Sequence, residues 1–405
     1  MIDRNILQEV IKDQRKRILN KDKGILREAL NNLNLRQGSA LIISGIRRCG
    51  KSTLLKQLLD KNKNFYYLNL EDPRLNGFEL SDFNKVNEIF ESMYGTEGIY
   101  FFDEIQNVPS WERFIRFLVD NKKTIVITGS NASLLSRELG TRLTGRHISH
   151  ELFPFSFFEF LKFYKLEDSI DSFKKYFVDG GFPEYLEDKD EEYLNEILSS
   201  VVMRDIAVRY GIKNSDLLRK LAIYKVTKVG KEYSNNSLKK MLDILSVRSI
   251  IDYISYMEDS YLIFTIPRFS YSYKKQQVSP KKVYSIDNGL SYVNSVSFSK
   301  DKGKMLENIV FIELRRKYKN LFYFQEKGEC DFLVKEKEKI TQAVQVCYEF
   351  NEENKGREIN GLIEALNRFK LKEGLILTFD QDDEFDIDGK KIILKPVWKW
   401  MLEKK

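Results

Sequence analysis

Residues 41–59 read LIISGIRRCGKSTLLKQLL, and they carry the clearest structural signal in the sequence. Within it, residues 45–52 match the pattern G-x-x-x-x-G-K-[ST] without a mismatch. The apolar run before the motif predicts a strand, and STLLKQLL after it predicts a helix. Glycines let such a loop turn tightly, so that its amide N–H groups and the helix N-terminus converge on one anion. The stretch therefore predicts a loop that binds the phosphates of a nucleoside triphosphate.

The side chains of this loop have separate roles in that prediction. We expect Lys51 to place its charge between the β- and γ-phosphates, and Ser52 to offer its hydroxyl group to Mg²⁺. A glycine-rich turn without a ligand is the alternative, but the flanking strand and helix are what phosphate binding needs. The residues expected to contact the nucleotide are Gly45, Arg47, Arg48, Cys49, Gly50, Lys51, Ser52 and Thr53.

An acidic pair ends a second apolar strand further along the chain. Residues 99–104 read IYFFDE. We expect Asp103 to orient Mg²⁺, directly or through water, and Glu104 to polarise the water that attacks the γ-phosphate. Because metal positioning and water activation need separate carboxylates, the pair favours a hydrolase over a protein that only binds nucleotide.

Further candidates follow a third apolar strand, residues 124–128. Asn131, with Ser130 as the alternative, is expected to sense the γ-phosphate and hold the attacking water; an ordinary turn is the other interpretation. Arg142 and Arg146 offer guanidinium groups for the charge of the transition state. If Arg146 points across a subunit interface, activity requires an oligomer; a structural ion pair is the other interpretation. The candidate catalytic residues are Lys51, Glu104, Asn131 and Arg146, and the candidate metal ligands are Ser52 and Asp103.

The composition excludes several other classes of protein. Of the 405 residues, 42% are hydrophobic and 13% aromatic, which excludes a disordered or fibrous chain. Three cysteines and two histidines cannot form a disulfide framework, a four-cysteine zinc site or a multi-histidine metal centre. The net charge of +7 permits a polyanionic partner without requiring one. With no apolar run of ~20 residues and a polar N-terminus, we expect a cytoplasmic protein that does not engage a membrane.

Patterning along the chain predicts an α/β protein in four parts. In residues 1–154, two helices precede short apolar runs that alternate with helical stretches, as in parallel βα units. Residues 155–235 are helical and aromatic-rich and would form a lid. Three helical patterns and a β-hairpin predict a winged helix-turn-helix over residues 236–298. Residues 299–405 return to an α/β pattern.

The predicted winged helix favours DNA as a partner. Its wing would be residues 268–282, where Tyr271 and Tyr273 are interleaved with lysines. Such a surface can neutralise phosphates while a helix enters the major groove. A plain protein interface and lysines that keep a hairpin soluble are the alternatives. The basic residues in question are Lys239, Lys240, Arg248, Lys274, Lys275, Lys281 and Lys282.

Several segments, taken in order, carry a resemblance to a known family. They are GIRRCGKSTLL (45–55), YFFDEIQNVPSWERFIRFL (100–118), ITGSNASLLSRELGTRLTGR (127–146), LFPFSFFEFL (152–161), GGFPEYL (180–186), VYSIDNGL (283–290), LENIVFIELRR (306–316) and ECDFLV (329–334). With them the chain resembles, over nearly its whole length, archaeal and bacterial AAA-superfamily ATPases that carry a C-terminal domain of uncharacterised function. The resemblance implies an ATPase module, a helical lid with a winged helix, and a C-terminal fold similar to restriction endonucleases.

The resemblance also implies what a nuclease site in that fold would need. The family pattern is a helix glutamate, then an aspartate, then Glu-x-Lys on the next strand, where the carboxylates bind Mg²⁺ and the lysine assists water attack. Here Glu307 or Glu313 would be the helix acid and Asp331 the aspartate. The next strand carries Gln345 and Cys347 in place of the glutamate and the lysine. We therefore expect an inert fold that contacts DNA or protein.

Three functions remain open from the sequence. The first is a Mg²⁺-dependent, ATP-hydrolysing AAA-type enzyme that acts on or at DNA as a homo-oligomer. The second is a nucleotide-dependent switch or scaffold that holds protein partners through its C-terminal domain. The third, disfavoured by Gln345 and Cys347, is an ATP-regulated nuclease.

Overall fold

The N-terminal part of the chain is built on a five-stranded parallel sheet with the strand order β2-β3-β4-β1-β5. The computed structural model describes residues 1–62, 64–132, 145–242, 246–295 and 301–403. The elements of this part are α1 (Arg4–Asn20), β1 (Ser39–Ser44), α2 (Lys51–Asp60), β2 (Phe65–Asn69), α3 (Asp82–Tyr94), β3 (Ile99–Asp103), α4 (Trp111–Asp120), β4 (Thr124–Gly129) and β5 (His147–Glu151).

The apolar runs become strands because helices cover the sheet. Strands β1 to β4 are almost wholly buried, as expected for parallel strands that are covered on both faces. Helix α4 turns Trp111, Phe114 and Leu118 into the core. Strand β5, which reads HISHE, is only partly buried and was not predicted. The predicted parallel α/β domain is thus confirmed.

Two compact units account for the described chain. The first comprises Met1–Phe153 with Asp259–Tyr261, and the second comprises Pro154–Glu258 with Leu262–Lys405. The second unit begins with helices, followed by a small antiparallel sheet with the strand order β6-β8-β7. These elements are α5 (Phe157–Tyr164), α6 (Ile170–Asp179), α7 (Pro183–Asp188), α8 (Glu191–Ser200), a π-helical stretch (Val201–Val208), α9 (Ser215–Thr227), β6 (Glu232–Tyr233), α10 (Asn235–Met241), α11 (Val247–Asp259), β7 (Ile263–Pro267), α12 (Tyr273–Val278), β8 (Lys281–Ser285) and α13 (Asn288–Val293).

A six-stranded mixed sheet forms the remainder of the second unit, with the strand order β13-β14-β12-β11-β10-β9. Strands β9, β10 and β11 are antiparallel neighbours, whereas β11, β12 and β14 are parallel. The elements are α14 (Lys302–Lys317), β9 (Leu321–Gln325), β10 (Glu329–Glu336), β11 (Lys339–Cys347), α15 (Lys355–Phe369), β12 (Glu373–Thr378), β13 (Asp383–Ile387), β14 (Lys390–Pro396) and α16 (Val397–Leu402).

Part of the predicted wing differs from expectation. Residues 268–282 contain the helix α12 rather than only a turn between two strands. Lys282, assigned to the DNA-facing surface, is 1% exposed and pairs with buried carboxylates. The assignment of Lys282 was therefore wrong, because α14 and β10 supply buried carboxylates to a strand that is covered on both faces. Separately, no helix in the described ranges combines the length and the apolar run that crossing a bilayer requires.

Candidate nucleotide-binding site

The glycine-rich loop connects the end of β1 to the start of α2, as the sequence predicts. Gly50 has φ = 97° and Arg48 has φ = 64°, so the backbone turns through left-handed conformations before the helix begins. A Cβ atom on Gly45 would lie 2.2 Å from the carbonyl oxygen of Leu152. Glycine is therefore required at position 45 by the close approach of the chain that follows β5.

Lys51 is the buried cation of the loop. Its Nζ donates hydrogen bonds to the carbonyl oxygens of Gly45 and Ile46, both at 3.1 Å. The same Nζ lies 3.5 Å from Oε1 of Glu104. The loop and the acidic pair are thus brought together, as the sequence predicts for two features that follow parallel strands at the same edge of one sheet.

Asp103 lies at the end of β3 and is held by several hydroxyl groups. Thr128 donates to its Oδ1, Tyr67 donates to its Oδ2 at 3.3 Å, and the hydroxyl of Ser52 also forms a hydrogen bond with the carboxylate. Burial, with the charge of Glu104 added, raises the pKa of Asp103 above its ordinary value. The two predicted metal ligands, Ser52 and Asp103, are therefore in contact.

Glu104 has the opposite shift. Burial alone would raise its pKa, but the Lys51 ammonium and a hydrogen bond from Gln106 hold the pKa below its ordinary value. Nε2 of Gln106 lies 2.5 Å from Oε2 of Glu104 and 3.3 Å from Oγ of Ser130. Glu104 is consequently a carboxylate at neutral pH, the form that can polarise a water molecule or accept a proton.

The residues after β4 reach the same edge because β4 lies between β1 and β3. Ser130 is joined to Glu104 through Gln106, and Asn131 beside it is fully buried. Sequence reasoning missed Gln106 and Thr128. Gln106 could have been found from its position two residues after Glu104, but the role of Thr128 depends on strand order, which no local pattern reveals.

Arg146 lies at the end of the sheet where the parallel strands begin, opposite the end that carries the phosphate loop. It immediately precedes β5, and its carbonyl oxygen accepts a hydrogen bond from the N–H of Ala40 at the start of β1. The phosphate loop follows the other end of β1, roughly 16 Å away at about 3.3 Å per residue. The guanidinium of Arg146 pairs with Asp120 and is 56% exposed. The structure does not bring Arg146 to the loop of its own chain, and Arg142 lies outside the described residues.

Two arginines and a cysteine shape the loop from its sides. Arg47 pairs with Glu71 at 3.0 Å. Arg27, which the sequence did not single out, is buried and donates to the carbonyl oxygens of Cys49 and Phe153, both at 2.7 Å. The thiol of Cys49 lies 3.4 Å from the carbonyl oxygen of Leu152, and burial raises its pKa. Cys49 can therefore serve a nucleotide only through its backbone.

A second cluster of charged groups lies in the other compact unit. Nζ of Lys282, on β8, lies 3.1 Å from Glu307 on α14, and 2.8 Å from Asp331 and 2.6 Å from Glu329 on β10. Glu307 also pairs with Lys304 at 2.6 Å. The carboxylates at positions 307 and 331 are thus already neutralised by lysines. No group of three or more His, Cys, Asp or Glu side chains among the described residues could hold a metal ion.

The fold and this site define a P-loop ATPase domain of the AAA superfamily. Residues 37–161 match the family described as an AAA domain, and residues 170–299 match a domain of unknown function. The chain is 37% identical to an uncharacterized protein of Methanocaldococcus jannaschii, covering 99% of this chain and 96% of that protein. It is 32% identical to an uncharacterized protein of Haemophilus influenzae, covering 89% and 94% respectively. The chain belongs to the family of these two proteins.

Solved structures give weaker likenesses. The structure of C. elegans PCH-2 matches 63% of this chain, with 14% sequence identity and a TM-score of 0.23. The S. cerevisiae Hsp104-ADP complex is 10% identical with a TM-score of 0.27 and covers 77% of this chain. The chain spans 66% and 48% of those two proteins' chains.

Proposed function

We propose that this protein is a Mg²⁺-dependent ATPase that works on or at DNA as a homo-oligomer. The observation that carries the ATPase part is the meeting of two sequence features at one edge of the sheet. Lys51 of the loop lies 3.5 Å from Glu104, while Ser52 of the same loop is hydrogen-bonded to Asp103. A structural turn would need neither a buried lysine nor two adjacent acids with opposite pKa shifts.

The donor set suits magnesium nucleotide. Mg²⁺ prefers oxygen ligands and is usually held by one or two carboxylates together with substrate phosphates, and Ser52 and Asp103 supply a hydroxyl and a carboxylate in contact. When bound, Mg²⁺ supplies neutralisation of the negative charge on the phosphates. The backbone of residues 45–53 and the N-terminus of α2 would hold those phosphates, with Lys51 adding its charge.

Hydrolysis would then depend on side chains around the γ-phosphate. Glu104 would polarise the attacking water, since its pKa is held low and its neighbours keep the carboxylate in one place. Asn131, or Ser130, would hold that water and sense the phosphate, at the end of the strand between β1 and β3. Arg146 would act from a neighbouring subunit, because it lies at the far edge of its own sheet.

The direct test is the Glu104→Gln variant. It should bind Mg²⁺-ATP with affinity close to that of the wild type, while turnover falls roughly 100-fold or more. Glu97→Gln is the matched control, because Glu97 is exposed just before the other end of β3. Normal turnover by Glu104→Gln would refute this role, and failure of the wild type to bind Mg²⁺-ATP would refute the whole proposal.

The DNA part of the proposal is supported by the order of elements in residues 215–285. Helix α9 and strand β6 are followed by helices α10 and α11 and then by strands β7 and β8. The three strands form one sheet with β8 in the middle, which is the order expected of a winged helix. Exposed lysines on α10 and α12 could neutralise phosphates. Stimulation of ATP turnover by DNA would support this role, and binding that is absent at low salt would reject it.

One observation favours a protein partner instead. Helix α11, the third helix of residues 215–285, carries Arg248 paired with Asp252, and its last turn adds Glu258 and Asp259. An acidic helix with the exposed side chain of Ile251 is poorly suited to a major groove and better suited to a protein. ATP turnover that is indifferent to every form of DNA would favour this second function, a nucleotide-dependent switch.

The C-terminal region supports an endonuclease-like fold without cleavage. Glu307 on helix α14, Asp331 on β10 and Gln345 on the neighbouring strand β11 follow one another in the order of the family pattern. Gln345 donates to Glu358, and Lys282 lies against Asp331 and Glu307, so the acids are already compensated inside the protein. We expect no cleavage of plasmid DNA in Mg²⁺ or Mn²⁺; cleavage abolished by Asp331→Ala would overturn this.

A further inference from the structure

An exposed groove in the second compact unit combines aromatic rings with positive charges. Its volume is about 610 Å³. It is formed by the segment between β7 and α12, the turn between β10 and β11, and the end of α15. Its lining includes Tyr271, Tyr273, Lys335, Lys339, Arg368 and Lys370.

The floor of this aromatic–basic groove is rigidly packed. The ring of Phe269 meets Phe322 and Phe369 edge-to-face, with centroid separations of 5.5 and 4.9 Å. The backbone N–H of Phe269 donates to the carbonyl oxygen of Tyr323 on the edge strand β9 at 2.7 Å. These contacts fix the segment after β7 against the sheet, so the groove is formed before any ligand binds.

Two tyrosines stand on this floor with most of their surface in water. Tyr271 packs edge-to-face on Phe269 at 5.2 Å, and the guanidinium of Arg368 lies 5.6 Å from its ring centroid. Tyr271 and Tyr273 are nevertheless each 75% exposed. Because both side chains are largely exposed, they can stack with unpaired bases, and the contacts of Tyr271 with Phe269 and Arg368 limit the side-chain entropy that Tyr271 loses on stacking.

The charge of the groove selects an anionic ligand. Its lining carries four cations and one carboxylate, Glu338, which extends into solvent 3.8 Å from Lys335. Arg368 has a carboxylate only at 4.0 Å, that of Glu326. Within the described part of the chain, no carboxylate lies within 4.0 Å of the ammonium group of Lys339 or Lys370. Exposed cations beside exposed rings match a strand of phosphates and bases.

We propose that this groove binds single-stranded DNA, with bases stacked on Tyr271 and Tyr273 and phosphates held by Lys339, Arg368 and Lys370. A duplex hides its base faces within the stack, and the carboxylate side chains of an acidic peptide have no rings to stack, so neither uses the tyrosines. The choice of DNA over RNA rests on the proposed function; the groove itself lies in residues that the ATPase chemistry does not use.

The test measures binding of a labelled oligothymidylate of about 20 nucleotides to the full chain without nucleotide, by fluorescence anisotropy over a range of salt. Tyr271→Ala and Tyr273→Ala should each weaken binding roughly 5- to 100-fold and leave the salt dependence unchanged. Lys339→Gln and Lys370→Gln should each flatten the slope of log affinity against log salt by about 0.7. Two different signatures thus separate stacking from charge.

Matched controls are available on nearby surfaces. Val278→Ala changes an apolar side chain of α12 that is 76% exposed but does not line the groove, and Lys220→Gln removes an exposed charge from α9. Both should bind like the wild type, and thermal melting should show that all variants fold. Because all the changed side chains are exposed, a loss of binding would not reflect unfolding.

Four results would overturn the proposal. They are no binding at low salt, unchanged binding by both tyrosine variants, preference for a duplex or for oligouridylate, and equal competition by polyglutamate. The proposed ATPase fails separately, since its turnover is measured without DNA and Glu104→Gln should leave binding to this groove intact. A chain that hydrolyses ATP normally but ignores oligothymidylate would therefore refute only the groove.

Discussion

Thr128 joins the two carboxylates of the candidate site through one hydroxyl group. Its Oγ1 donates to Oδ1 of Asp103 and accepts a hydrogen bond from the N–H of Glu104 at 3.0 Å. Thr128→Val keeps the shape but leaves the Glu104 amide without an acceptor. We expect turnover to fall roughly 10-fold and the free energy of unfolding to fall by about 1–3 kcal/mol. Steady-state kinetics and urea denaturation measure both, with Thr124→Val at the start of the same strand as control; equal turnover of the two variants would contradict this role.

Lys225 is a lysine that the folded chain keeps away from water. Its side chain is 0% exposed, and its Nζ has no hydrogen-bond partner among the residues that the structure describes. The amine lies 3.0 Å from the ring centroid of Tyr233. Burial lowers the pKa of Lys225 to about 6, although the charge of Glu258 acts in the opposite direction. The unfolded chain therefore binds a proton here below about pH 10, while the folded chain binds it only below about pH 6.

Lys225→Met should consequently stabilise the protein, by several kcal/mol near pH 7. The folded-state pKa lies below the unfolded value, so wild-type stability rises with pH between about 6 and 10, and the advantage of the variant shrinks over that range. Urea denaturation at pH 6, 7.5 and 9 would measure the difference. Lys220→Met, on the exposed face of the same helix, should show little change with pH; a gap between wild type and Lys225→Met that does not vary with pH would contradict the neutral amine.

At the level of elements, the segment between α1 and β1 supports the phosphate loop. Gln57 on α2 donates to the carbonyl oxygens of Lys23 and Ile25, both at 2.7 Å, and accepts from the N–H of Arg27. The Arg27 guanidinium then links Cys49 of the loop to Phe153 beyond β5. This segment therefore joins three parts of the ATPase domain that are distant in sequence.

Arg27→Met should disturb the loop without touching any group assigned to chemistry. With the Cys49 carbonyl left without its buried donor, we expect the free energy of unfolding to fall by about 1–3 kcal/mol and affinity for Mg²⁺-ATP to fall several-fold. Binding of a fluorescent nucleotide and urea denaturation test both quantities. Arg36→Met, an exposed residue of the same segment, is the control. Unchanged affinity in Arg27→Met would show that the loop keeps its shape without this support.

Strands that are buried on both faces could be predicted from the sequence, whereas elements that depend on long-range contacts could not. Strands β1 to β4 read as apolar runs because helices cover them, whereas β5 reads HISHE and takes its place through pairing with β1. Lys282 is a comparable case, since its sequence neighbourhood is basic but its partners lie on α14 and β10. The loop and the acidic pair could be predicted because the residues that define each of them are adjacent in the sequence.

The structure explains two of the segments that carry the family resemblance, GGFPEYL (180–186) and VYSIDNGL (283–290), for which the sequence alone indicated no role. The carboxylate of Asp287 accepts hydrogen bonds from the N–H groups of Gly181 and Leu290, at 2.7 and 3.2 Å. Gly180 has φ = 70°, and a Cβ atom there would lie 2.1 Å from Oδ1 of Asp287. Burial raises the pKa of Asp287 to about 6. The two segments therefore pack against each other and are joined by hydrogen bonds from backbone N–H groups to Asp287. These contacts account for the residues without a catalytic role.

The buried ionic cluster joins three elements of the second unit. Lys282 on β8 contacts Glu307 on α14 and Asp331 on β10, and Tyr284 donates to the same glutamate at 2.7 Å. Removing one partner from such a cluster leaves uncompensated buried charge, which typically costs about 3–5 kcal/mol. In place of the lysine that the family pattern has on β11, Lys282 contacts these acids from β8. It joins the small antiparallel sheet to the mixed sheet, and its role is therefore structural.

The position of Arg146 makes a prediction about assembly. In the proposed homo-oligomer, Arg146 would serve the loop of another subunit through a head-to-tail interface, because it lies at the end of its own sheet opposite the loop. Arg146→Ala alone should lower turnover roughly 100-fold or more, as is also expected for Glu104→Gln. In an equal mixture, a neighbouring pair can combine the intact Glu104 of one chain with the intact Arg146 of the other. Random assembly then restores about a quarter of the sites.

ATP turnover of the mixture, compared with each variant alone, measures this complementation. Arg116→Ala is the matched control, because Arg116 has the same exposure and pairs with the same Asp120, at 3.6 Å, so its loss should leave turnover unchanged. Mixing must be done under conditions that exchange subunits, which the mass of a hybrid carrying one tagged chain would verify. If such hybrids form and turnover stays at the level of the single variants, Arg146 does not act across subunits. Full activity of Arg146→Ala alone would leave its pairing with Asp120 as its only role.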